Sequence, residues 1–502
     1  NAGDTIASGG NYNAFFGEDA GTTNTTGDSN VAVGYSALGA NNTATGAVAV
    51  GANALDANTS GARNTAVGQD SLGTNTEGND NVAIGNSALE SNLTGSDNVA
   101  IGRVALNANT ASNNIGIGKD ALAANTIGNT NIAIGTDAMT TNVAADRNVA
   151  IGEQALQNMT AASTTDTYNT AVGYNAGLAV NSGVQNTLIG GKAGDGMTSG
   201  GNNTAVGFES LSAVCTGSYN TAVGRIAMRD MTSGTENTGL GNAALLVNTD
   251  GNYNTSVGSD SLKANVSGHN NTAVGFEALQ ANTASNNIAI GYQAGLALTS
   301  GASNVVIGNE ALDAATTATQ NVVIGKDAMG AVPSGQAVAQ VVAIGLNAIY
   351  GSASTTTGID GTVAIGYEAG KDLTTGTENV FVGHQSGANT TNGDRNVYIG
   401  YSSAEAATTA DYNVVIGYEA MSVTDDADYN VAIGYKAMQD LGTGINDGEG
   451  LNTAVGALAL SNGTTCQNST AIGYGAMGSG VVSGNDNTAV GHEALKVATN
   501  GR

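Results

Sequence analysis

The 502-residue chain is predicted to be all-β, a parallel β-solenoid (a β-roll or β-helix) of about 28 coils. A pentapeptide such as Asn-Thr-Ala-Val-Gly at 64–68 returns throughout the chain, most often every 17 residues, and a fixed period is the signature of a solenoid. Within each copy β-branched and small residues alternate, as expected of a half-buried strand. The closing glycines lie at 17, 34, 51, 68, 85, 102, 118, 135, 152, 173, 190, 207, 224, 241, 258, 275, 291, 308, 325, 345, 366, 383, 400, 417, 434, 456, 473 and 491.

Each column of the repeat has its own physical interpretation. Alternation places the β-branched second and fourth residues on one face of the strand, and the asparagine and alanine on the other. The residue three places after the glycine is Ala or Ser in every copy, which predicts another stretch of backbone close against it. The following residue is mostly Leu, Met or Gly and predicts a second short apolar strand. Glycine and Asn-Thr pairs then close the turns.

The asparagine and alanine columns are the predicted structural positions. The first column is Asn in 24 of 28 copies, and stacked amides predict a hydrogen-bonded ladder along the solenoid axis. The alternative is that each asparagine only caps its own turn. Representative positions are Asn64, Asn81, Asn98, Asn203 and Asn220 for the amide column, and Ala66, Ala83, Ala100, Ala205 and Ala222 for the small column.

The small face of the strand predicts an oligomer. Alanine gains little free energy from burial compared with valine or isoleucine, so a face that stays small in every coil suggests close contact with another chain. We therefore expect a homo-oligomer whose small-residue faces turn inward. The alternative is a monomeric solenoid in which these columns pack the chain against itself.

Residues 1–502 are interpreted as one elongated array, and as a fragment of a longer chain because another coil would begin where the sequence ends. Four coils are longer than the others: 152–173, 325–345, 345–366 and 434–456. Their extra residues fall around 161–166, 331–340, 352–361 and 440–450. We expect these segments to bulge while the strand glycines stay stacked across them.

The net charge of −27 argues against nucleic acid and anionic membranes as partners, since both require a basic surface. No apolar run is long enough for membrane insertion. Acidic residues recur two places after the strand glycine, at Asp19, Asp70, Asp120, Asp137, Glu209, Asp260, Glu277, Glu310, Asp327, Glu368, Glu419 and Glu493. A solvated edge is one interpretation of this column. Weak binding of divalent cations is the other, and no other cofactor is expected.

Nothing in the sequence predicts a catalytic or metal site, so the protein is not expected to be an enzyme. His269, His384 and His492 lie several coils apart, which excludes a dyad of two histidines within the chain. Cys215 and Cys466 are separated by 14 coils, too far for a disulfide between them.

Tyrosine often follows the strand glycine directly, and its density rises between 367 and 435. Exposed aromatic rings can stack on sugars. Tyr367, Tyr401, Tyr418 and Tyr435 are therefore candidate binding residues for a cell-surface glycan or another receptor. The alternative is that these rings cover turns or pack between chains.

The motif Asn-Val-Ala-Ile-Gly with a small residue three places later, as at 81–88, resembles the head repeats of YadA-type trimeric autotransporter adhesins. The 17-residue form is similar to repeat regions of phage tail fibres and other marine virion appendages. The adhesin family forms trimers of left-handed parallel β-rolls, so the resemblance implies that the present chain forms a homotrimer of that architecture. The present coil is longer, and neither the adhesin stalk nor its membrane anchor is found in the sequence.

Three function classes follow from these observations. The first is a structural fibre or appendage for attachment to a host or surface, located on a virion or outside a cell. The second is a bacterial cell-surface adhesin or filament. The third is an ice- or mineral-binding solenoid that uses threonines such as Thr65, Thr170, Thr204, Thr221 and Thr272. It ranks last because valine replaces threonine in many coils.

Overall fold

A computed structural model describes residues 10–160, 165–351, 356–441, 450–463, 466–479 and 484–496. These residues form strands, turns and bends, and no helix occurs among them. No segment within these ranges is a helix of the length and hydrophobicity needed to cross a membrane. The chain divides into two compact units, Asn1–Asn252 and Tyr253–Arg502.

The described part of the first unit contains sixteen short strands. They are β1 (Ala14–Phe16), β2 (Val31–Val33), β3 (Val48–Val50), β4 (Thr65–Val67), β5 (Val82–Ile84), β6 (Val99–Ile101), β7 (Ile115–Ile117), β8 (Ile132–Ile134), β9 (Ala145–Asp146), β10 (Val149–Ile151), β11 (Thr165–Asp166), β12 (Thr170–Val172), β13 (Thr187–Ile189), β14 (Thr204–Val206), β15 (Thr221–Val223) and β16 (Thr238–Leu240). Strands β9 and β11 form a separate parallel pair, and the other fourteen provide one strand per coil.

The second unit contains fourteen described strands, again one per coil. They are β17 (Thr255–Val257), β18 (Thr272–Val274), β19 (Ile288–Ile290), β20 (Val305–Ile307), β21 (Val322–Ile324), β22 (Val342–Ile344), β23 (Val363–Ile365), β24 (Val380–Val382), β25 (Val397–Ile399), β26 (Val414–Ile416), β27 (Val431–Ile433), β28 (Thr453–Val455), β29 (Thr470–Ile472) and β30 (Thr488–Val490).

Successive strands pair in parallel with equivalent residues opposite each other. In the first unit Ala66 of β4 lies opposite Ala83 of β5. In the second unit Val322 pairs with Val342, and Val342 with Val363, although the coils between them are longer. The predicted parallel β-solenoid is confirmed, as is the expectation that these coils keep the strand register. Of the other insertions, residues 161–164, 352–355 and 442–449 lie outside the described residues.

The asparagine and alanine face of the strand points into the coil. Ala66 is inaccessible to solvent, whereas Thr65 and Val67 on either side of it are partly exposed. The same burial is found at Ala83, Ala100, Ala205 and Ala222. The expectation that this small face meets a second chain is therefore wrong. The alanine column fills the interior of its own chain, where the coil is too narrow for larger side chains in most copies.

The predicted second strand is absent from the described coils. Leu72, the residue expected to mark it, lies in a turn with a φ of 52°, and Asp70 two residues earlier has a φ of 54°. Hydrogen bonds still run from coil to coil, since the Leu72 N–H donates to the Ala88 carbonyl oxygen at 3.0 Å. The backbone must bend sharply to close a coil of 17 residues. Residues with positive φ bend it at this point, whereas an extended strand would keep it straight.

The turn backbone packs closely against the strand, as the Ala/Ser column predicts. At Gly116 in β7, an added Cβ atom would lie 3.2 Å from the Ala121 carbonyl oxygen. In another coil, Ser256 Oγ donates to the Ser261 carbonyl oxygen at 2.9 Å. Alanine and serine therefore suit this column because the strand leaves no room for a longer side chain.

The strand glycine is required by the next coil. Gly68 has a φ of 137°, and a Cβ atom added there would lie 2.5 Å from the Gly85 carbonyl oxygen. Both the left-handed backbone and the close approach exclude larger residues. The glycine column is therefore required both for the turn and for the close stacking of successive coils.

The asparagine column forms the predicted ladder. Asn81 Nδ2 donates to Asn64 Oδ1 at 3.1 Å and to the Gly95 carbonyl oxygen at 2.9 Å, while Asn98 Nδ2 donates to Asn81 Oδ1 at 3.0 Å. The second of these bonds fastens a turn, so the asparagine serves both as a ladder member and as a turn cap. The same axial bond joins Asn220 to Asn203 at 3.2 Å.

A second buried amide ladder runs through the turns of the first unit. Asn75 Nδ2 donates to Asn58 Oδ1 at 2.8 Å, and Asn92 Nδ2 donates to Asn75 Oδ1 at 2.8 Å. Asn92 also donates to the Gly95 carbonyl oxygen at 2.9 Å, the acceptor that Asn81 uses. The recurrence of this asparagine in the sequence could have indicated a second ladder, but the burial of its side chain was not predicted.

A large aromatic residue is accommodated in the core where the residue four places after the strand glycine is itself glycine. Phe381 takes the place of the strand alanine in β24, and the turn residues beside it are Gly370 and Gly387. Cβ atoms added at these glycines would lie 2.6 and 2.9 Å from the Phe381 ring. The ring occupies the volume that the leucine side chain of the turn fills in other coils. The total volume of core side chains is therefore kept, although the strand residue rather than the turn residue supplies most of it.

Candidate functional site

The outer strand face consists of the second and fourth residues of the coil strands. It carries no charged residue in the described coils of either unit. The fourth position is always apolar: Phe16, Val33, Val50, Val67, Ile84, Ile101, Ile117, Ile134, Ile151, Val172, Ile189, Val206, Val223 and Leu240 in the first unit, and Val257, Val274, Ile290, Ile307, Ile324, Ile344, Ile365, Val382, Ile399, Ile416, Ile433, Val455, Ile472 and Val490 in the second. These side chains remain partly or fully exposed in the single chain.

Threonines share this face at the second strand position. Thr170, Thr204 and Thr221 are partly exposed and point outward beside the apolar fourth column. The equivalent position is valine or isoleucine in β5 to β8. The arrangement is therefore a mixed hydroxyl and apolar face rather than a uniform threonine array.

The four candidate tyrosines are brought into one stack by the second unit. Tyr367, His384, Tyr401, Tyr418 and Tyr435 follow five consecutive strand glycines, and we call this row the aromatic ladder. Centroid distances between neighbours along it are 4.8, 5.0, 5.0 and 5.5 Å. The spacing follows directly from the separation of parallel strands. His384 belongs to the ladder because it occupies the tyrosine column of its coil.

Stacking changes what these rings offer to a ligand. Each face of Tyr401 is covered, one by His384 and the other by Tyr418, with interplanar angles of 14° and 8°. At the end of the row, Lys436 Nζ lies 5.7 Å from the Tyr435 ring centroid. A sugar ring stacks on an aromatic face, and the inner rings of the ladder, His384, Tyr401 and Tyr418, have a neighbouring ring on both faces. The structure thus favours ring packing over sugar stacking at these positions.

Carboxylates beside the ladder are held by hydrogen bonds. Lys436 Nζ lies 3.0 Å from Glu419, and bonds from Lys436 and Tyr418 hold the pKa of the Glu419 carboxyl below its usual range. The Glu419 carboxylate correspondingly raises the pKa of the Tyr418 hydroxyl. At Glu368 the pKa is lowered chiefly by Gln385, whose Nε2 donates to it at 2.9 Å. These carboxylates are therefore ionised at neutral pH and fixed in position.

A polar cleft of about 480 Å³ opens beside the aromatic ladder. It arises in the column two places after the strand glycine, where the short Ser402 lies between the longer Gln385 and Glu419. The full lining is Gln385, Asn389, Tyr401, Ser402, Glu405, Ala406, Glu419, Ser422, Val423 and Gln439. Sequence reasoning singled out Tyr401 and Glu419 but missed the cleft. The cleft could have been inferred from Ser402, because this small residue lies between two long side chains in the same column of the repeat.

The acidic column is interleaved with amides and cations. Asn53 Nδ2 donates to Asp70 Oδ1 at 2.9 Å, and Gln293 Nε2 donates to Glu277 Oε2 at 2.7 Å. Lys192 lies 3.5 Å from Glu209 in the same column. These neighbours reduce the repulsion that a continuous acidic edge would create. Within the described ranges, no three His, Cys, Asp or Glu side chains are arranged to hold a metal ion.

The two cysteines are buried in the core of different units. Burial raises the pKa of both the Cys215 and Cys466 thiols to about 11. Because the thiolate is the reactive form, these thiols are poor nucleophiles at neutral pH and act as small core side chains.

The chain matches no protein-family model, and no curated protein matches it significantly.

Proposed function

We propose that this chain is a structural element of an extracellular or virion-borne fibre that attaches its bearer to a host or another surface. The observation that carries the proposal is the outer strand face, which is uncharged in every described coil strand. The resemblance of the repeat to tail-fibre and trimeric adhesin repeats supports the same function.

An uncharged face of this length requires a physical explanation. The chain has 41 acidic and 14 basic residues, yet none of the charges falls at these strand positions. Solvated surfaces do not exclude charge in this way, whereas protein interfaces deplete it at their centre. Identical copies that met through this face would bring no like charges together in spite of the net charge of −27.

The exposed area is large enough for a stable interface. Two partly exposed side chains per strand, at about 50 Å² each, give on the order of 1,400 Å² for fourteen strands, compared with about 800 Å² per partner in a standard interface. We therefore propose a homotrimer that packs through the outer strand face rather than through the alanine column. Closed symmetry is the usual form of homo-oligomers.

The mass of the protein in solution tests this proposal. Analytical ultracentrifugation of the full chain is expected to give the mass of three chains. Lysine at Ile101, Ile117 and Ile134 should reduce it to one chain, because three buried ammonium groups would oppose association. Lysine lowers the net negative charge, so a loss of association could not be attributed to greater long-range repulsion between the acidic chains.

Leu93→Lys and Ile127→Lys provide the matched control, since both residues are exposed and lie in turns away from the outer strand face. This control is expected to keep the mass of three chains. A wild-type mass of one chain would overturn the proposal, as would equal dissociation of the two variants. The circular dichroism spectrum of each variant verifies that the coil fold is retained.

A further inference from the structure

We infer that the polar cleft around Ser402 is a binding site for an uncharged sugar unit of a surface glycan. This inference rests on the proposed attachment function, and it places recognition in the cleft rather than on the faces of the tyrosine rings. All of the residues that form the site belong to the second unit.

The cleft is formed by a local change in side-chain length. Gln385, Ser402 and Glu419 succeed each other in one column, so the short middle residue leaves a gap between two long ones. Ser402 is almost inaccessible and forms the floor, with Ala406 contributing a second small residue to the lining. The volume of about 480 Å³ is within the size range of small-molecule sites and suits a short saccharide rather than a large apolar ligand.

The lining has hydrogen-bonding capacity that the protein does not use. The Asn389, Glu405 and Ser422 side chains make no hydrogen bond or ion pair with another described residue. A carboxylate accepts hydrogen bonds from hydroxyl groups, while an amide both donates and accepts, and a hydroxyl does the same. A polyhydroxylated ligand is the class whose groups match this set.

Charge selects among the sugars. Glu405 and Glu419 both line the cleft, and the nearby cation Lys436 is engaged by Glu419 at 3.0 Å. An acidic sugar would bring a third negative charge to this site, and no lysine or arginine is among the residues that line the cleft to balance it. The cleft therefore favours neutral hexoses over sialylated or sulfated ones.

Saturation-transfer NMR of the full chain with short saccharides tests the site directly. Neutral hexose oligosaccharides at about 10 mM are expected to show transfer, and their sialylated or sulfated counterparts are not. Ser402→Gln should abolish the transfer by filling the floor of the cleft. Glutamine already occupies this column at Gln385 with a φ of 54°, so the backbone accepts it. Glu405→Gln should weaken the binding while retaining the shape of the cleft.

Ser87→Gln is the matched control, since Ser87 occupies the same column in the first unit with a similar φ of 53°. Its binding should equal that of the wild type. Absence of transfer from every neutral sugar, equal transfer from acidic sugars, or unchanged binding by Ser402→Gln would each overturn the inference. The mass of the same sample distinguishes the two proposals. A mass of three chains without sugar binding contradicts only the sugar site in the cleft. Sugar binding by a sample with the mass of one chain contradicts only the proposed trimer.

Discussion

Asp313 is a carboxylate in an unfavourable position. Its Oδ1 atom is buried without a hydrogen-bond partner among the described residues, and Glu310 and Asp327 lie near enough to repel it. Burial, with smaller contributions from these two charges, raises the pKa of the Asp313 carboxyl to about 6. An unperturbed aspartate has a pKa of about 3.9, so the folded state holds this proton more tightly than the unfolded state.

We predict that Asp313→Asn stabilises the protein at pH 7. Since the folded pKa is raised, the contribution of Asp313 to stability is fully present below about pH 4 and is lost as the pH rises to about 6. The variant should therefore have a higher melting temperature at pH 7 and a smaller fall in melting temperature between pH 4 and pH 6. Thermal unfolding followed by circular dichroism across this range measures both effects.

Asp97→Asn serves as the control because Asp97 is exposed and the change removes the same charge. If the two variants gain equal stability at pH 7, a general reduction of the net negative charge explains the result, and the burial of Asp313 is not its cause.

The sequence could place Asp313 in a column of the repeat but could not show that its carboxylate is buried. Asp56 and Asp195, five places after their strand glycines as Asp313 is, also have carboxyl pKa values raised chiefly by burial.

At the scale of the element, each coil is held to the next by buried amides as well as by the strands. Asn81 Oδ1 accepts both the backbone N–H and the Nδ2 of Asn98 at 3.0 Å. Its own Nδ2 donates to Asn64 and to the Gly95 carbonyl oxygen. One side chain thus joins three successive coils.

Replacing Asn81 by alanine is predicted to lower the free energy of unfolding by about 2–4 kcal/mol, because buried groups on both sides lose their partners. Chemical denaturation of the purified protein measures the change. Asn86→Ala is the matched control: the residue lies in the same coil but is exposed, with one long bond of 3.4 Å. Equal losses from the two variants would show that the buried ladder adds little stability.

The elements also show where sequence reasoning reached its limit. The alternation Asn-Thr-Ala-Val-Gly predicted the strand and its parallel register, because a period of two has few other interpretations. An isolated Ala-Leu pair has no comparable periodicity, so a strand and a turn could not be distinguished there. The positive φ of Leu72 depends on the tight closure of the coil, which a single repeat does not reveal.

At the scale of the whole molecule, the repeat predicted the fold class, but not which strand face is inside. Both faces of the strand could be packed, and small residues are compatible with either a narrow coil or a close neighbour. The decisive fact is the width of the coil: Ala66 and Leu72 are both inaccessible within one chain. The candidate tyrosines share one column of the repeat, whereas their mutual stacking and the adjoining cleft depend on how successive coils pack and could not be inferred from the repeat alone.

Association through the outer strand face has a distinctive dependence on salt. Each chain has a net charge of −27, and the proposed interface itself contains no charges. Bringing chains together therefore opposes long-range repulsion without forming ion pairs. Added salt screens this repulsion, with a screening length of about 30 Å at 0.01 M and about 10 Å at 0.1 M.

We accordingly predict that sodium chloride promotes assembly. In sedimentation experiments on dilute protein, the fraction with the mass of three chains should rise as the salt concentration increases from about 0.01 M to about 0.5 M, where repulsion is largely screened. The variant with lysine at Ile101, Ile117 and Ile134 should remain a single chain throughout, since screening does not remove the need to bury its ammonium groups. Dissociation of the wild type on adding salt would mean that ion pairs hold the chains together, and the outer strand face could not then be the principal contact.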